Sequence, residues 1–344
     1  MKRLRILALL HEDTIPPESV AGLSPAQMLP FQAEYDVLTA LEELGHDVRR
    51  LALGHEILPL RQAVEEWRPD IALNLLLHFQ EVGIYDAHVM SYLELLHVPY
   101  TGCNPRGLLI ASDKALSKKI MAWHRVRVPA FAVFRRGARV RAPRKLEFPL
   151  FVKSTVEHAS QGISQASIVS DPKALSDRVE FIHRRIGTDA IAERYIEGRE
   201  ITVGVLGNQR LTAFPIWEMT FANLPRGTEP IATSRVKWNR EYQKKLGVEC
   251  GPALELAPEK TAQLARIARR VYRALGLSGY ARIDMRLDAK GQAHVLEANP
   301  NPDLSREEDF STSARAAGIE YPRLIQRILN LGLRHTPPWR TDEA

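Results

Sequence analysis

The most constraining stretch of this 344-residue chain lies near its end. It runs Tyr280-Ala281-Arg282-Ile283-Asp284-Met285-Arg286-Leu287, then Asp288-Ala289-Lys290-Gly291, then His294-Val295-Leu296-Glu297-Ala298-Asn299-Pro300-Asn301-Pro302. Alternating polar and apolar residues predict two strands, and Asp288 to Gly291 supplies the turn that folds them into a hairpin. Side chains alternate across a strand, so Arg282, Asp284 and Arg286 share one face and Ile283, Met285 and Leu287 the other. In the second strand Val295, Glu297 and Asn299 are expected on one face. Asp284, Glu297 and Asn299 then converge, with Arg282 beside them. Two carboxylates and an amide oxygen suit Mg²⁺, which takes one or two carboxylates plus substrate phosphates. A bound nucleotide is therefore expected, not a purely structural metal. A salt-bridged surface hairpin would show the same Arg/Asp/Arg alternation. Against it stands Glu297, on an otherwise apolar strand and followed at once by Asn and two prolines, which is costly without a partner.

The remaining composition permits a large globular fold. The length allows a sizeable core divided into two or three lobes. No apolar run approaches the ~20 residues of a membrane span. Ile6 to Leu10 is too short for a signal-peptide core and meets His11, Glu12 and Asp13; it reads as a buried first strand. With Cys103 and Cys250 as the only cysteines, neither a disulfide framework nor a thiolate metal cluster is expected, and a reducing cytoplasm is the simplest setting. The formal charge of +6 would suit nucleic acid, but ATP and acidic substrates also favour a positive cleft. The densest basic patch carries Arg135, Arg136, Arg139, Arg141, Arg144 and Lys145 without an aromatic residue for base stacking. It reads as a solvated connection, so neither nucleic acid nor membrane is an expected partner.

Residues 3 to 107 alternate strands (4–10, 47–53, 70–76) and helices (31–44, 59–67, 84–97), with Gly45 as a stop signal. Such alternation predicts an α/β unit with a parallel sheet covered by helices on both faces. Ligands bind at the carboxyl ends of such strands. The loops His11 to Gly22 and His78 to Gly83 are therefore candidate substrate loops, with Glu18 and His78 as their candidate residues. A second unit begins with Ser112-Asp113 capping the helix that carries Lys114. Strands at 131–134, 150–153, 165–170 and 190–193 and a helix at 172–186 follow. The last unit holds a strand at 200–206, a Pro/Gly-broken stretch at 215–252, a helix at 259–275, the hairpin and a final helix at 321–332. Lys153 ends the apolar strand Leu150-Phe151-Val152; a lysine at the edge of a buried strand wants an anion, and phosphate suits it. A lysine snorkelling to solvent is the plainer alternative.

The Arg-Ile-Asp and Leu-Glu-Ala-Asn segments at Arg282–Asp284 and Leu296–Asn299 resemble those that close the metal site of ATP-grasp carboxylate–amine ligases of the D-alanine–D-alanine ligase group. The resemblance covers the chain to about residue 330. It implies an ATP-grasp fold with an N-terminal Rossmann-like parallel-sheet domain (1–107), a central ATP-grasp lobe (108–196), a C-terminal lobe with metal and acceptor sites (197–333) and a loose tail (334–344). It implies ATP and Mg²⁺ (or Mn²⁺) as cofactors, small carboxylate and amine substrates, and often a homodimer. Asp284, Glu297 and Asn299 would hold the metal. Lys114 and Lys153 would bind phosphate, with Ser160 and Gly162 in the loop over it, although His158 and Ala159 stand where the group has Gly and Ser. Glu193, Arg194, Tyr195 and Ile196 look like the adenine hinge, and Glu200 matches the acid that takes the ribose hydroxyls. Lys237 matches a loop lysine reaching the terminal phosphate, but Trp238 replaces the usual phenol. Arg282 would stabilise the oxyanion of a tetrahedral intermediate. The group implies two steps, acyl-phosphate formation and then amine attack.

On the acceptor side Asp303 stands where relatives have Gly, and Glu308 stands near a hydroxyl position. Glu307 and Asp309 add further acid. Carboxylates there would repel an acceptor carboxylate, so a different acceptor from D-alanine is expected. Three readings follow: a small-molecule ligase, a ligase that modifies a peptide or other macromolecule, and a non-catalytic nucleotide-binding protein. The intact set Lys153, Asp284, Glu297 and Asn299 speaks against the last.

Overall fold

Ile6 to Leu10 form the centre of a three-stranded parallel sheet with the order β2-β1-β3, where β1 is Arg5–His11, β2 Asp47–Leu53 and β3 Ile71–Asn74. The computed structural model describes residues 2–157 and 161–337. Both faces of β1 are apolar because both are covered. Leu7 and Leu9 pack with Leu60, Ala63, Val89, Met90 and Leu93. Ile6, Ala8 and Leu10 pack with Val37, Leu38 and Leu41, and also with Leu324, Ile325, Ile328 and Leu329 of the final helix Tyr321–Leu333. The end of the chain thus returns to roof its beginning, which local periodicity does not reveal.

A second, antiparallel sheet has the order β4-β7-β5-β6, from β4 Phe131–Phe134, β5 Leu150–Ser154, β6 Ile168–Val169 and β7 Ala190–Arg194. The helix Pro172–Phe181, capped by Asp171, covers it through Leu175 and Val179. β6 is shorter than the expected 165–170, because Ser164 and Ser167 cap each other and wind Gln165–Ser167 into a 3₁₀ turn. The basic stretch after β4 is an exposed connection to β5.

The third sheet has the order β11-β10-β8-β12-β13, with β9 also on β8. Its strands are β8 Arg199–Leu206, β9 Thr212–Ala213, β10 Trp217–Phe221, β11 Val248–Pro252, β12 Tyr280–Leu287 and β13 Ala293–Pro300. The stretch expected to be broken from 215 to 252 therefore contains two paired strands and the helices Ser234–Trp238 and Arg240–Leu246. The helix Pro258–Ala274 buries Leu264, Ala268 and Val271 against this sheet.

A helix that the sequence did not signal, Pro105–Ser112, precedes Lys114–Trp123. Ser112 closes the first, and Asp113 alone caps the second, its Oδ1 accepting from Ala115 N and Leu116 N at 2.9 Å. The Pro300-Asn301-Pro302 turn docks onto this connection. Asn301 Oδ1 accepts from Cys103 N at 2.8 Å, and a Cβ on Gly102 (φ +92°) would meet that same oxygen at 2.5 Å.

Candidate active site

The hairpin forms with the expected pairing on its outer part and a departure in the middle. Asp284 pairs with Glu297, but Met285 pairs with Val295, so Leu296 is an unpaired bulge residue. Beyond the bulge the alternation is reset. Val295 therefore lies in the core with Ile283, Met285 and Ala298, not on the face of Glu297 and Asn299. Two long-range bonds hold the bulge: Val295 N donates to Arg127 O at 2.9 Å, and Lys118 Nζ donates to Leu296 O.

On the outward face Arg282 grips Asp284 with two bonds, Nε to Oδ1 at 2.8 Å and Nη2 to Oδ2 at 2.9 Å. Asn299 Nδ2 also donates to Asp284 Oδ2 at 2.9 Å, which turns the amide oxygen away from that carboxylate. Burial raises the Asp284 carboxyl despite the lowering effect of Arg282, and Glu297 and Glu200 add to the rise. Asp284, Glu297 and Asn299 are all oxygen donors, and this set fits Mg²⁺ or Mn²⁺.

Facing them is a cluster of three lysines. Lys114 Nζ lies 3.8 Å and Lys153 Nζ 3.9 Å from Glu297 Oε2. Lys153 and Lys118 approach Glu193 Oε1 at 3.5 Å and 3.4 Å. Lys118 is fully buried, and burial brings its ammonium down to about 8 despite Glu193. Burial also lowers Lys114. For Lys153 burial acts downward too, but Glu193, Glu297 and Asp284 outweigh it and leave the lysine raised. Lys114 also donates to Glu157 O at 2.6 Å. These ammoniums are thus ion-paired with Glu297 and Glu193 at 3.4–3.9 Å.

The hinge residues divide. Glu193 is buried within the lysine cluster, while Arg194 is exposed and its N bonds Ala130 O at 2.8 Å. Tyr195 and Ile196 are buried. Arg286, which the sequence placed on the polar face without a role, ties the hinge together. It donates to Glu200 Oε2 at 2.7 Å, to Tyr195 Oη and Ile196 O at 3.0 Å, and to Pro230 O. Tyr195 Oη in turn donates to Glu229 Oε2 at 3.0 Å.

Ser160, with His158 and Ala159, lies outside the described residues. Gly162 has φ +72°, and its carbonyl accepts from Arg178. The loop after it joins the loop before Lys237: Ser234 N donates to Ile163 O at 3.1 Å, and Gln165 and Glu229 exchange two bonds of 3.0 and 3.1 Å. Lys237 and Trp238 are exposed, with the ammonium 5.7 Å from the indole centroid.

The acceptor-side acids follow β13 directly. Asp303 Oδ1 accepts from Ser305 N and Oγ at 2.8 and 2.6 Å. Asp309 Oδ2 lies 3.9 Å from Arg282 Nη1, and Glu307 turns outward to Arg315. Glu308 keeps solvent access, yet partial desolvation, then Asp303 and Asp309, push its carboxyl up to about 7. Two buried acids that the sequence did not single out, Glu34 and Asp36, stand behind Asp303 and are raised chiefly by burial. Beside the first sheet the His78 ring lies tilted by 50° against His11 with centroids 4.0 Å apart, whereas Glu18 is exposed.

Lys118, Arg286 and Glu229 thus join the site without having been assigned a role. Only Lys118 had a local signal, its spacing of four from Lys114 on one helix face.

A family profile described as the D-ala D-ala ligase C-terminus matches residues 120–330. The chain is 36% identical over 308 residues to the uncharacterized protein y4sG of Sinorhizobium fredii, spanning 87% of this chain and 86% of that protein. It is 33% identical over 319 residues to the D-alanine–D-alanine ligase of Bordetella petrii, spanning 90% and 89% respectively. Its fold matches the crystal structure of D-alanine–D-alanine ligase from Bacillus anthracis complexed with ATP at a TM-score of 0.74, across 96% of this chain and 98% of that one, with 24% identity. With its parallel first sheet and the two sheets that face each other across the lysine–carboxylate cluster, the chain belongs to the D-alanine–D-alanine ligase-like family of ATP-grasp proteins.

Proposed function

We propose that this protein is an ATP-dependent ligase that joins a carboxylate to an amine, and that its acceptor differs from D-alanine. The observation that carries the ligase assignment is the meeting of Asp284, Glu297 and Asn299 with Lys114 and Lys153 across two sheets. In the first step a substrate carboxylate oxygen attacks the γ-phosphorus of ATP; the bond to the β-phosphate oxygen breaks, and ADP and an acyl phosphate form. In the second step an amine attacks the acyl carbon, phosphate leaves with the bonding pair, and the amine loses a proton. Mg²⁺ or Mn²⁺ on Asp284, Glu297 and Asn299 would neutralise charge on the β- and γ-phosphates. Lys153 and Lys114 orient the phosphates, with Lys237 approaching from its exposed loop. Arg282 commits its Nε/Nη2 edge to Asp284 and directs Nη1 toward Asp309, on the side where it would meet the developing oxyanion. Positioning and electrostatics supply most of the rate.

The acceptor assignment rests on the acids Asp303 and Asp309; Glu308, whose carboxyl is pushed up to about 7, adds its charge only as the pH rises above that value. A carboxylate brought within about 4 Å of one of them meets repulsion of about 1–4 kcal/mol. An amide, ester or polyamine amine avoids this. The exposure of Asp303, Glu307 and Glu308 also admits an amine carried on a peptide or other macromolecule.

The test is ATP-dependent phosphate release with pooled carboxylates and amines, D-alanine among them, with product masses read out. Expected are products from amines lacking an α-carboxylate, and a shift toward free amino acids in Asp303→Gly with Glu308→Ser. Efficient D-alanyl-D-alanine formation by the unaltered protein would overturn the acceptor assignment. Absence of ATP turnover with every pool would overturn the ligase assignment and leave a nucleotide-binding protein.

A further inference from the structure

The loops leaving the first sheet bring two imidazoles and a carboxylate together, on elements separate from the lysine–carboxylate cluster. His11, the last residue of β1, is only 3% exposed, and its Nε2 is buried without a hydrogen-bond partner. His78 Nδ1, in the loop after β3, is likewise buried and unpartnered. Glu81 Oε1 lies 3.9 Å from His11 Nε2, and one ligand-capable atom from each of the three residues lies within 4.8 Å of the others. Gln80 and Glu81 both take left-handed backbone angles, φ +51° and +59°. Gln80 is pinned to the end of β2, its N donating to Gly54 O and its Nε2 to His55 O, both at 2.8 Å. The turn so held directs Glu81 back toward His11. Buried polar atoms are ordinarily paired, and two unpartnered imidazole nitrogens beside one carboxylate form a set that a cation would satisfy once His11 releases its Nε2 proton.

We propose that His11, His78 and Glu81 bind a divalent cation of the zinc class, such as Zn²⁺ or Co²⁺. Imidazole nitrogens with one carboxylate match the donors such ions take, whereas Mg²⁺ prefers oxygen and keeps its water. Three protein ligands leave a fourth position for water or a carboxylate. Glu81, with its side chain 66% exposed, supplies most of the movement that closes the site. His11 Nδ1 accepts from Asp13 N at 3.2 Å. Ligation through Nε2 moves the ring proton to Nδ1, which turns from accepting Asp13 N to donating to Asp13 Oδ2, 3.6 Å away, and leaves the N–H of this exposed residue to water. His78 is already held toward the neutral form that ligates, by burial first and then by His11.

The experiment is titration of the full-length chain with Co²⁺ in a large excess of Mg²⁺, followed by visible absorption and displaced by Zn²⁺. Expected is one retained Co²⁺ per chain. Binding weakens at least about 10-fold in His78→Gln and in Glu81→Gln and is unchanged in Glu297→Gln. Glu81→Gln alters an exposed side chain, so its effect is not confounded by misfolding. No retained Co²⁺, or retention equal in His78→Gln and Glu81→Gln, would overturn the site.

Discussion

Lys118 donates from a fully buried side chain to the main-chain carbonyl of Leu296, the unpaired residue of the bulge in β13. A single ammonium therefore links the helix Lys114–Trp123 to the point where the face carrying Glu297 and Asn299 is set. The same nitrogen lies 3.4 Å from Glu193. Lys118 acts through Leu296 and Glu193, and so is a positioning residue.

Lys118→Met removes the bulge donor and one of the two cations beside Glu193. Breaking a buried pair costs about 3–5 kcal/mol. Lys153 remains at 3.5 Å, so the lower end is expected in urea unfolding, together with a KM for ATP raised about tenfold. Lys118→Arg should recover stability better than ATP affinity. An unchanged unfolding midpoint and unchanged KM would refute the positioning role.

Glu297→Gln keeps the shape of the side chain and removes its charge. Turnover of ATP should fall by about 10²-fold or more, with the thermal midpoint little altered. Excess chelator should abolish turnover by the unaltered protein. Persistence of full rate in either experiment would show that Glu297 holds no essential metal.

Glu34 offers a pH signature. Burial holds its carboxyl up at about 7, against 4.5 in the unfolded chain. The folded state keeps this proton longer, so the group's contribution to stability is complete below about 4.5 and is lost as pH rises through about 7. Glu34→Gln should remove that decline and gain about 3 kcal/mol over the unaltered protein above pH 7. Parallel stability-versus-pH curves for the two proteins would contradict it.

The paired loops should open as one unit. Gln165→Ala deletes both bonds to Glu229 while Ser234 N still meets Ile163 O. Hydrogen exchange should rise in residues 161–165 and 229–237 together, and a non-hydrolysable ATP analogue should slow it in both. A rise confined to one loop, or no protection by the analogue, would mean the loops move independently.

Much of this architecture was legible because it is written in local signals. Ile6–Leu10, Gly45 and the Pro258–Gly276 helix frame act over a few residues, and the structure forms β1, the stop after Glu43 and the helix Pro258–Ala274. The converging Asp284, Glu297 and Asn299 also followed from alternation and a turn. Alternation failed at Val295 because one unpaired residue resets the period, and that bulge is held by Lys118 and Arg127, distant in sequence. The strands Trp217–Phe221 and Val248–Pro252 were hidden because they pair with each other across the two helices between them, and Trp217–Phe221 also pairs with Arg199–Leu206. By itself the sequence determined the elements marked by strong local signals and which side chains are candidates for the site, since these depend on side-chain chemistry and short-range periodicity. Only the tertiary structure decided that Arg286 binds the hinge, that the last helix roofs the first sheet, and that His11 meets His78 and Glu81. Each of these is a long-range burial or pairing, and no local pattern encodes it.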